Sequence, residues 1–241
     1  MKKLLQKVPF VYQRTQRIYY AFFALLERLC GTRIQELRWK LAHIIRKKQW
    51  AAGYRDTLHH PHRKFLIDRI LSHGTVSRIL EIGCNAGPNL ILLAQRIPST
   101  HFFGIDINHT AITEGKKWID ELDLKNISLS VGRADDLKKL PTQSIDYIFS
   151  DATMMYIGPD KIGSVIKEFI RVASKRIIFL EYHSRDLKEK GLSYDGHWVY
   201  NYATLFTDYV RVECISITPM PDELWESPGW KKYGTVIEVT L

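Results

Sequence analysis

Gly83, Asn85, Ala86 and Gly87 interrupt an otherwise strongly apolar stretch, RILEIGCNAGPNLILLAQRI, spanning residues 78–97. Small and turn-prone residues weaken any strand or helix that holds them, so their clustering marks a turn. Such a turn is either a plain tight connection or a place where a ligand comes up against the backbone. Acidic side chains recur at comparable places: Glu81 beside the turn, Asp106 after HFFGI, Asp135 and Asp136 in RADDL, and Asp151 after SIDYIFS. The spacing Glu81-x-Gly83-x-x-x-Gly87 is not the nicotinamide fingerprint G-x-G-x-x-G. No Lys-Ser or Lys-Thr follows Gly87, as a P-loop would require.

The elements that must position these residues alternate between strand and helix. SRILEIG (77–83) reads as a buried strand, and Pro88 sits where a first helical turn tolerates proline. HFFGIDI (101–107) is a second strand, followed by a helix over 108–122 with Asn108 as N-cap. NISLSVG (126–132) and SIDYIFSDA (144–152) are the third and fourth strands. A helix opened by Pro159 runs to about Val172, and SKRIIFLEYH (174–183) is the fifth strand. YVRVECISI (209–217) and YGTVIEVTL (233–241) are late strands with no helix expected between them, which suits an antiparallel pair. The pattern predicts an α/β doubly wound, mostly parallel sheet with helices on both faces. Ligands of such sheets bind outside the carboxyl ends of the strands, and the acids named above all fall at that edge.

On the strength of LEIGCNAG, GIDIN, RADDL and the late strand pair, residues 55–241 resemble the class I S-adenosylmethionine-dependent methyltransferases. The resemblance implies a Rossmann-like, seven-stranded sheet with an antiparallel last strand, and S-adenosylmethionine as cofactor. Gly83, Asn85 and Gly87 would then meet its amino-acid part. Asp106, with Ile107 after it, would hold the ribose diol, because an ionised carboxylate accepts from both hydroxyls. Asp135, with Ala134 beside it, would receive the adenine amine, and Asp136 is the competing choice. Glu81 would orient the glycine turn or meet the ammonium group, Asp151 would lie at the methionine end, and Arg63 would pair with the methionine carboxylate.

Methyl transfer needs an aligned nucleophile, with or without a base. The residues expected to serve are His183 and Glu181 after the fifth strand and Tyr156 after the fourth; an exposed loop histidine is the other reading of His183. SDATMMY (150–156) lacks the Asn/Asp-Pro-Pro-aromatic pattern of the branches that methylate exocyclic base amines. LEYHSRD (180–186) and the Gly-containing, aromatic-rich segment after it are loosely similar to methylases associated with bacterial surface-sugar and pseudaminic acid biosynthesis. That resemblance implies a hydroxyl on a sugar or similar small molecule. Tyr54, His60, His62 and Arg63, before the first strand, are candidates for lid or acceptor contacts. A metal site from His59, His60 and His62 is not expected, because neighbouring histidines rarely converge.

The chain has 241 residues and a formal charge of +9, but residues 1–50 carry +10 and the rest −1. Two amphipathic helices are expected there, split near residues 30–32. Ile18, Phe22, Leu25, Leu26 and Leu29 make one apolar face, and Ile34, Leu37, Leu41, Ile44 and Ile45 the other. The apolar run at 18–26 is too short for a span of roughly 20 residues. Residues 1–52 therefore read as a basic helical extension and 53–241 as the methyltransferase domain. The extension has three open roles: lying on an anionic membrane, binding RNA, or packing on the body or another subunit. Three dispersed cysteines indicate a reducing compartment, hence a cytoplasmic protein, at the inner membrane face if the first role holds. The expected function is transfer of methyl to a small-molecule, glycan or lipid-linked acceptor. RNA methylation and a non-catalytic cofactor-binding scaffold are the alternatives.

Overall fold

A computed structural model describes residues 26, 34, 37, 39, 49–187 and 191–241. Most of the basic extension lies outside the described residues; Leu26, Ile34, Leu37 and Trp39 are helical. In chain order the main elements are α1 (Gln49–Asp56), α2 (Pro61–Ser72), β1 (Arg78–Ile82), α3 (Pro88–Arg96), β2 (His101–Asp106), α4 (His109–Glu121), β3 (Ile127–Val131), β4 (Ile145–Asp151), α5 (Ile162–Val172), β5 (Ala173–Tyr182), β6 (Leu192–Tyr194), β7 (His197–Val199), α6 (Tyr202–Thr207), β8 (Ile215–Pro219), α7 (Pro228–Tyr233) and β9 (Gly234–Thr240).

Seven strands form one sheet in the order β3-β2-β1-β4-β5-β9-β8, with β6 and β7 as a separate hairpin. The pairings among β1 to β5 are parallel, and β9 runs antiparallel to both β5 and β8. Both faces are covered, which explains why the central strands read as near-continuous apolar runs. On β5, Ile178 and Leu180 enter the core beneath α2, α3 and α4, while Ile177 and Phe179 enter the core beneath α5 and α6. The chain leaves β1 toward β2 and leaves β4 toward β5, so the topological switch lies between β1 and β4. That is where a doubly wound sheet opens a crevice at its carboxyl edge.

Two helix starts follow their sequence signals. Asn108 Oδ1 accepts from Ala111 N at 3.0 Å, and Gly87 (φ 81°) precedes Pro88 as the N-cap of α3. The late part of the chain departs from expectation. The strand expected over 209–217 begins only at Ile215, because Tyr209 N and Val210 N donate to Phe206 O and extend the turn of α6. The connection expected to lack helix contains α7, with Pro228 in its first turn. The loop after Tyr182 includes the β6–β7 hairpin, turned on Asp195 (φ 50°) and Gly196 (φ 74°). Asp-Gly is a strong hairpin signal, since both turn residues need positive φ.

Gly83 and Gly87 are glycines for different reasons. A Cβ on Gly83 (φ 76°) would lie 2.1 Å from Thr153 Oγ1, whereas a Cβ on Gly87 would come no nearer than 3.5 Å to the Leu129 and Ile119 side chains, an ordinary contact. The left-handed conformation costs a non-glycine residue roughly 1–2 kcal/mol. Gly87→Ala is therefore expected to lose about that much stability. Gly83→Ala adds an overlap with Thr153 to the same backbone cost and should lose clearly more. Parallel denaturant melts check the order; equal losses would contradict it.

Candidate active site

The turn after β1 is tied to the end of β2. Gly83 N and Cys84 N both donate to Ile105 O, at 2.8 and 3.0 Å. Asn85 adopts φ 52°, which turns its N–H toward Asp106 Oδ2 at 2.9 Å. Asn108 N donates to Asp106 Oδ1 at 2.8 Å. Burial raises the Asp106 carboxyl above its ordinary value, and these two N–H groups oppose the rise. Each Asp106 oxygen keeps a second lone pair for a ligand.

At the neighbouring strand end, Asp151 closes β4 and gathers side chains from two helices. Its Oδ2 lies 3.1 Å from His62 Nε2 and accepts from Arg63 Nη1 at 3.3 Å and Asn89 Nδ2 at 3.0 Å. Asn89 Nδ2 also donates to Glu81 Oε1 at 2.7 Å, and Asn89 Oδ1 accepts from Arg63 Nη1 at 2.9 Å. Arg63 Nε donates to Thr57 O at 3.1 Å. Glu81 Oε2 and Asp151 Oδ1 are buried with no hydrogen-bond partner among the described residues. Burial raises Glu81 to about 8, with Asn89 and Arg63 resisting and Asp151 adding to the rise. Burial acts the same way on Asp151, but His62 and Arg63 overcome it and hold that carboxyl at about 2. Two adjacent carboxyls are thus driven apart by where the Arg63 cation and the His62 contact sit.

Both strand ends open into one cavity of about 830 Å³ at the switch point. That is within the roughly 300–1,000 Å³ typical of small-molecule sites. One half is lined by the residues just described, with Ile107, Ala134 and Asp135 beyond them. The other half is aromatic. Trp225 and Trp230 stack with centroids 4.2 Å apart, and Trp225 stacks on His62 at 4.2 Å. Tyr156 meets the edge of Trp39 at 4.9 Å, and its hydroxyl lies 3.2 Å from His197 Nε2. Tyr182 packs against Trp230 at 4.9 Å.

Of the sequence candidates, Arg63, Glu81, Gly83, Asn85, Asp106, Ile107, Ala134, Asp135, Asp151 and Tyr156 line this cavity. Asp136 does not compete with Asp135: its Oδ2 accepts from Arg133 N at 2.9 Å and caps the 3₁₀ turn of residues 134–139. Asp135 instead lies beside the Arg133 guanidinium, its Oδ1 accepting from Nε at 2.8 Å.

Three of the candidates lie off this cavity. Gly87 is not on the cavity wall; its glycine serves the backbone turn and the approach to Leu129. Glu181 is fully buried and off the cavity. Its carboxylate accepts from Ser150 Oγ, Thr153 N, Met154 N and Met155 N, holding the 3₁₀ turn after β4. His183 is also buried off the cavity, and its Nδ1 accepts from Tyr202 N at 3.1 Å. Desolvation lowers that imidazole to about 4. Sequence reasoning missed Asn89, Trp225, Trp230 and His197. Only the Asp195-Gly196 turn offered a signal for any of them, by predicting the hairpin that delivers His197. Among the described residues no group of three or more His, Cys, Asp or Glu is placed to hold a metal ion, and no helix is long and apolar enough to cross a membrane.

Comparison with known proteins places these features in context. A family model described as a methyltransferase domain matches residues 74–238. An uncharacterized protein of Rickettsia prowazekii is 30% identical over 111 residues, 45% of this chain and 43% of that one. The aklanonic acid methyltransferase of Streptomyces sp. is 33% identical over 94 residues, 39% of this chain and 42% of that one. The chain thus spans under half the length of these curated relatives. The crystal structure of magnesium protoporphyrin IX methyltransferase from Synechocystis with bound S-adenosylmethionine aligns with a TM-score of 0.60 and 12% identity, covering 87% of this chain and 96% of that one.

Glu181 supplies a test of the corrected assignment. Burial raises its carboxyl to about 7 against 4.5 unperturbed, so between those values the folded state holds a proton that the unfolded chain releases. Its contribution to stability is full below pH 4.5 and is lost as pH rises to about 7. Glu181→Gln should flatten that part of the thermal stability profile. It should also cost about 1–3 kcal/mol, because an amide N–H₂ must face a backbone donor. A Glu181→Gln protein with wild-type melting at every pH from 4 to 8 would contradict the capping role.

Proposed function

The chain belongs to the methyltransferase-domain family; from that premise we propose that it is an S-adenosylmethionine-dependent methyltransferase whose acceptor is a small molecule with an apolar or planar body, methylated at a hydroxyl. The observation that carries this reading is the division of one cavity into an acid-lined half and an aromatic half. The acid-lined half suits a cationic nucleoside. S-adenosylmethionine supplies an activated methyl group on a sulfonium.

Asp106 has one lone pair left on each oxygen for the ribose hydroxyls. The free oxygens of Glu81 and Asp151 suit the ammonium group, which is a donor without an acceptor of its own. Arg63 Nη2, with Nε and Nη1 already engaged, is the donor offered to the carboxylate. Gly83, Asn85 and Ile107 present backbone to the ligand, and Ala134 and Asp135 lie where the adenine would extend. The aromatic half excludes water and offers ring faces to the acceptor. Two proteins similar to this chain, aklanonic acid methyltransferase and magnesium protoporphyrin IX methyltransferase, are named for small molecules of that general kind.

The experiment has two arms. Titration calorimetry with S-adenosylmethionine and S-adenosylhomocysteine is expected to give heat with the wild type. Asp106→Ala loses two charge-assisted hydrogen bonds of about 1.5–3 kcal/mol each, a fall in affinity of on the order of 10²-fold or more. Lysate incubated with the methyl-labelled cofactor should then yield label in small, organic-soluble products. Label in RNA would establish the nucleic-acid alternative. Binding without transfer to any fraction would establish the scaffold.

A further inference from the structure

We propose that His60 is the general base of the methyl transfer, with His62 and Asp151 as positioning residues that leave its Nε2 unprotonated. This rests on the methyltransferase reading above and adds the group that takes the acceptor's proton.

Asp151 Oδ2 accepts from Arg63 Nη1 and Asn89 Nδ2, so the carboxylate is ionised and can only accept. His62 Nε2, 3.1 Å away, therefore carries the proton of that contact. In a neutral imidazole the other nitrogen then holds a lone pair. His62 Nδ1 faces His60 Nδ1 at 2.5 Å, so the proton between them belongs to His60. His60 is left with its lone pair on Nε2, the nitrogen bonded to none of the described residues. Arg63 already supplies one cation to this carboxylate, so the contact needs no second charge.

The surroundings fix the arrangement. His62 is 3% exposed, and Trp225 stacks on its ring. Trp225 also leans on His60 at 5.4 Å, and both histidines line the cavity between its acid-lined and aromatic halves. The charged or titratable groups around His60 are His62 and Arg63 of α2, Asp151 of β4, Glu81 of β1 and Tyr54 of α1. Desolvation, with the Arg63 cation adding to it and Asp151 opposing, lowers the His60 imidazole below its ordinary value, which favours the base form at neutral pH.

The step balances. The acceptor hydroxyl oxygen forms a bond to the methyl carbon as the carbon–sulfur bond breaks, its electron pair staying on sulfur. The hydroxyl proton passes to His60 Nε2, giving an imidazolium and S-adenosylhomocysteine, and later leaves to solvent.

Long-range ¹⁵N–¹H NMR of histidine-labelled protein tests the premise without any substrate. At neutral pH, His62 should be the Nε2–H tautomer and His60 the Nδ1–H tautomer. A His60 protonated on Nε2 overturns the proposal, whatever the activity. The second test is single-turnover transfer of labelled methyl into the organic-soluble acceptor fraction. His60→Gln should slow transfer about 10²–10⁴-fold, the usual contribution of a general base. Calorimetric heat with S-adenosylhomocysteine should stay unchanged, and the acidic limb of the rate profile should disappear. His62→Asn should slow transfer less, and the exposed His59→Gln should not slow it at all. Wild-type transfer by His60→Gln overturns the proposal while leaving the methyltransferase reading intact. Absence of cofactor binding by the wild type overturns that reading and, with it, the role of His60.

Discussion

One buried carboxylate organises the site. Asp151 ends β4 at the switch point and draws His62 and Arg63 from α2 and Asn89 from α3 onto a single oxygen. A charge taken out of water is costly unless it is paired and hydrogen-bonded. Asp151 meets both conditions, and in doing so it pins two helices to the carboxyl edge of the sheet. Removing it would leave Arg63 as an uncompensated buried cation, while Asn89 and the Thr57 carbonyl would remain as its neutral partners. The position of α2 against β4, and hence the position of both histidines in the cavity, follows from that one anion.

The same arrangement explains why Glu81, a short distance away through Asn89, behaves differently. Arg63 reaches Glu81 only through the Asn89 amide, whereas Asp151 has Arg63 and His62 in contact. Asn89 cannot be flipped without breaking the set, because its oxygen faces the guanidinium and its nitrogen faces both carboxyls. Burial therefore prevails at Glu81 and pairing prevails at Asp151. The cavity presents one acid ready to stay ionised and another that ionises when a cation arrives beside it. That is a fitting pair for a ligand carrying both an ammonium and a sulfonium.

Much of this was legible in the sequence, and the reasons for the rest are physical. The strand–helix alternation, Pro88, the Asn108 cap and the strand-end acids are local signals, and each reads the same in the structure. Glu181 and His183 misled because a strand of period two sends alternate residues to opposite faces. Tyr182 turns to the cavity, and Glu181 turns beneath the 3₁₀ turn of residues 154–156. Gly83 read as a ligand-approach residue, yet the nearest atoms to its missing Cβ belong to Thr153, from a loop that no local signal connects to it. His62 and Asp151 are 89 residues apart. No spacing rule joins them, because their meeting depends on α2 lying across the end of β4.

The two halves of the cavity differ in what builds them. The acid-lined half comes from the turns after successive parallel strands, which the sheet cannot move without losing its register. The aromatic half draws Trp225 and Trp230 from the segment between β8 and β9 and His197 from the β6–β7 hairpin, while Tyr156 and Tyr182 come from the ends of β4 and β5. The hairpin and the β8–β9 segment lie outside the alternating core, so their side chains can change with the acceptor while the strand-end acids stay fixed. The halves meet where Asn108 Nδ2 donates to Trp39 O at 2.8 Å, and again at His62. His62 stacks on Trp225 on one side and meets the Asp151 carboxylate on the other. A displacement of the tryptophan segment by an entering acceptor would therefore reach the strand-end acid through a single imidazole ring.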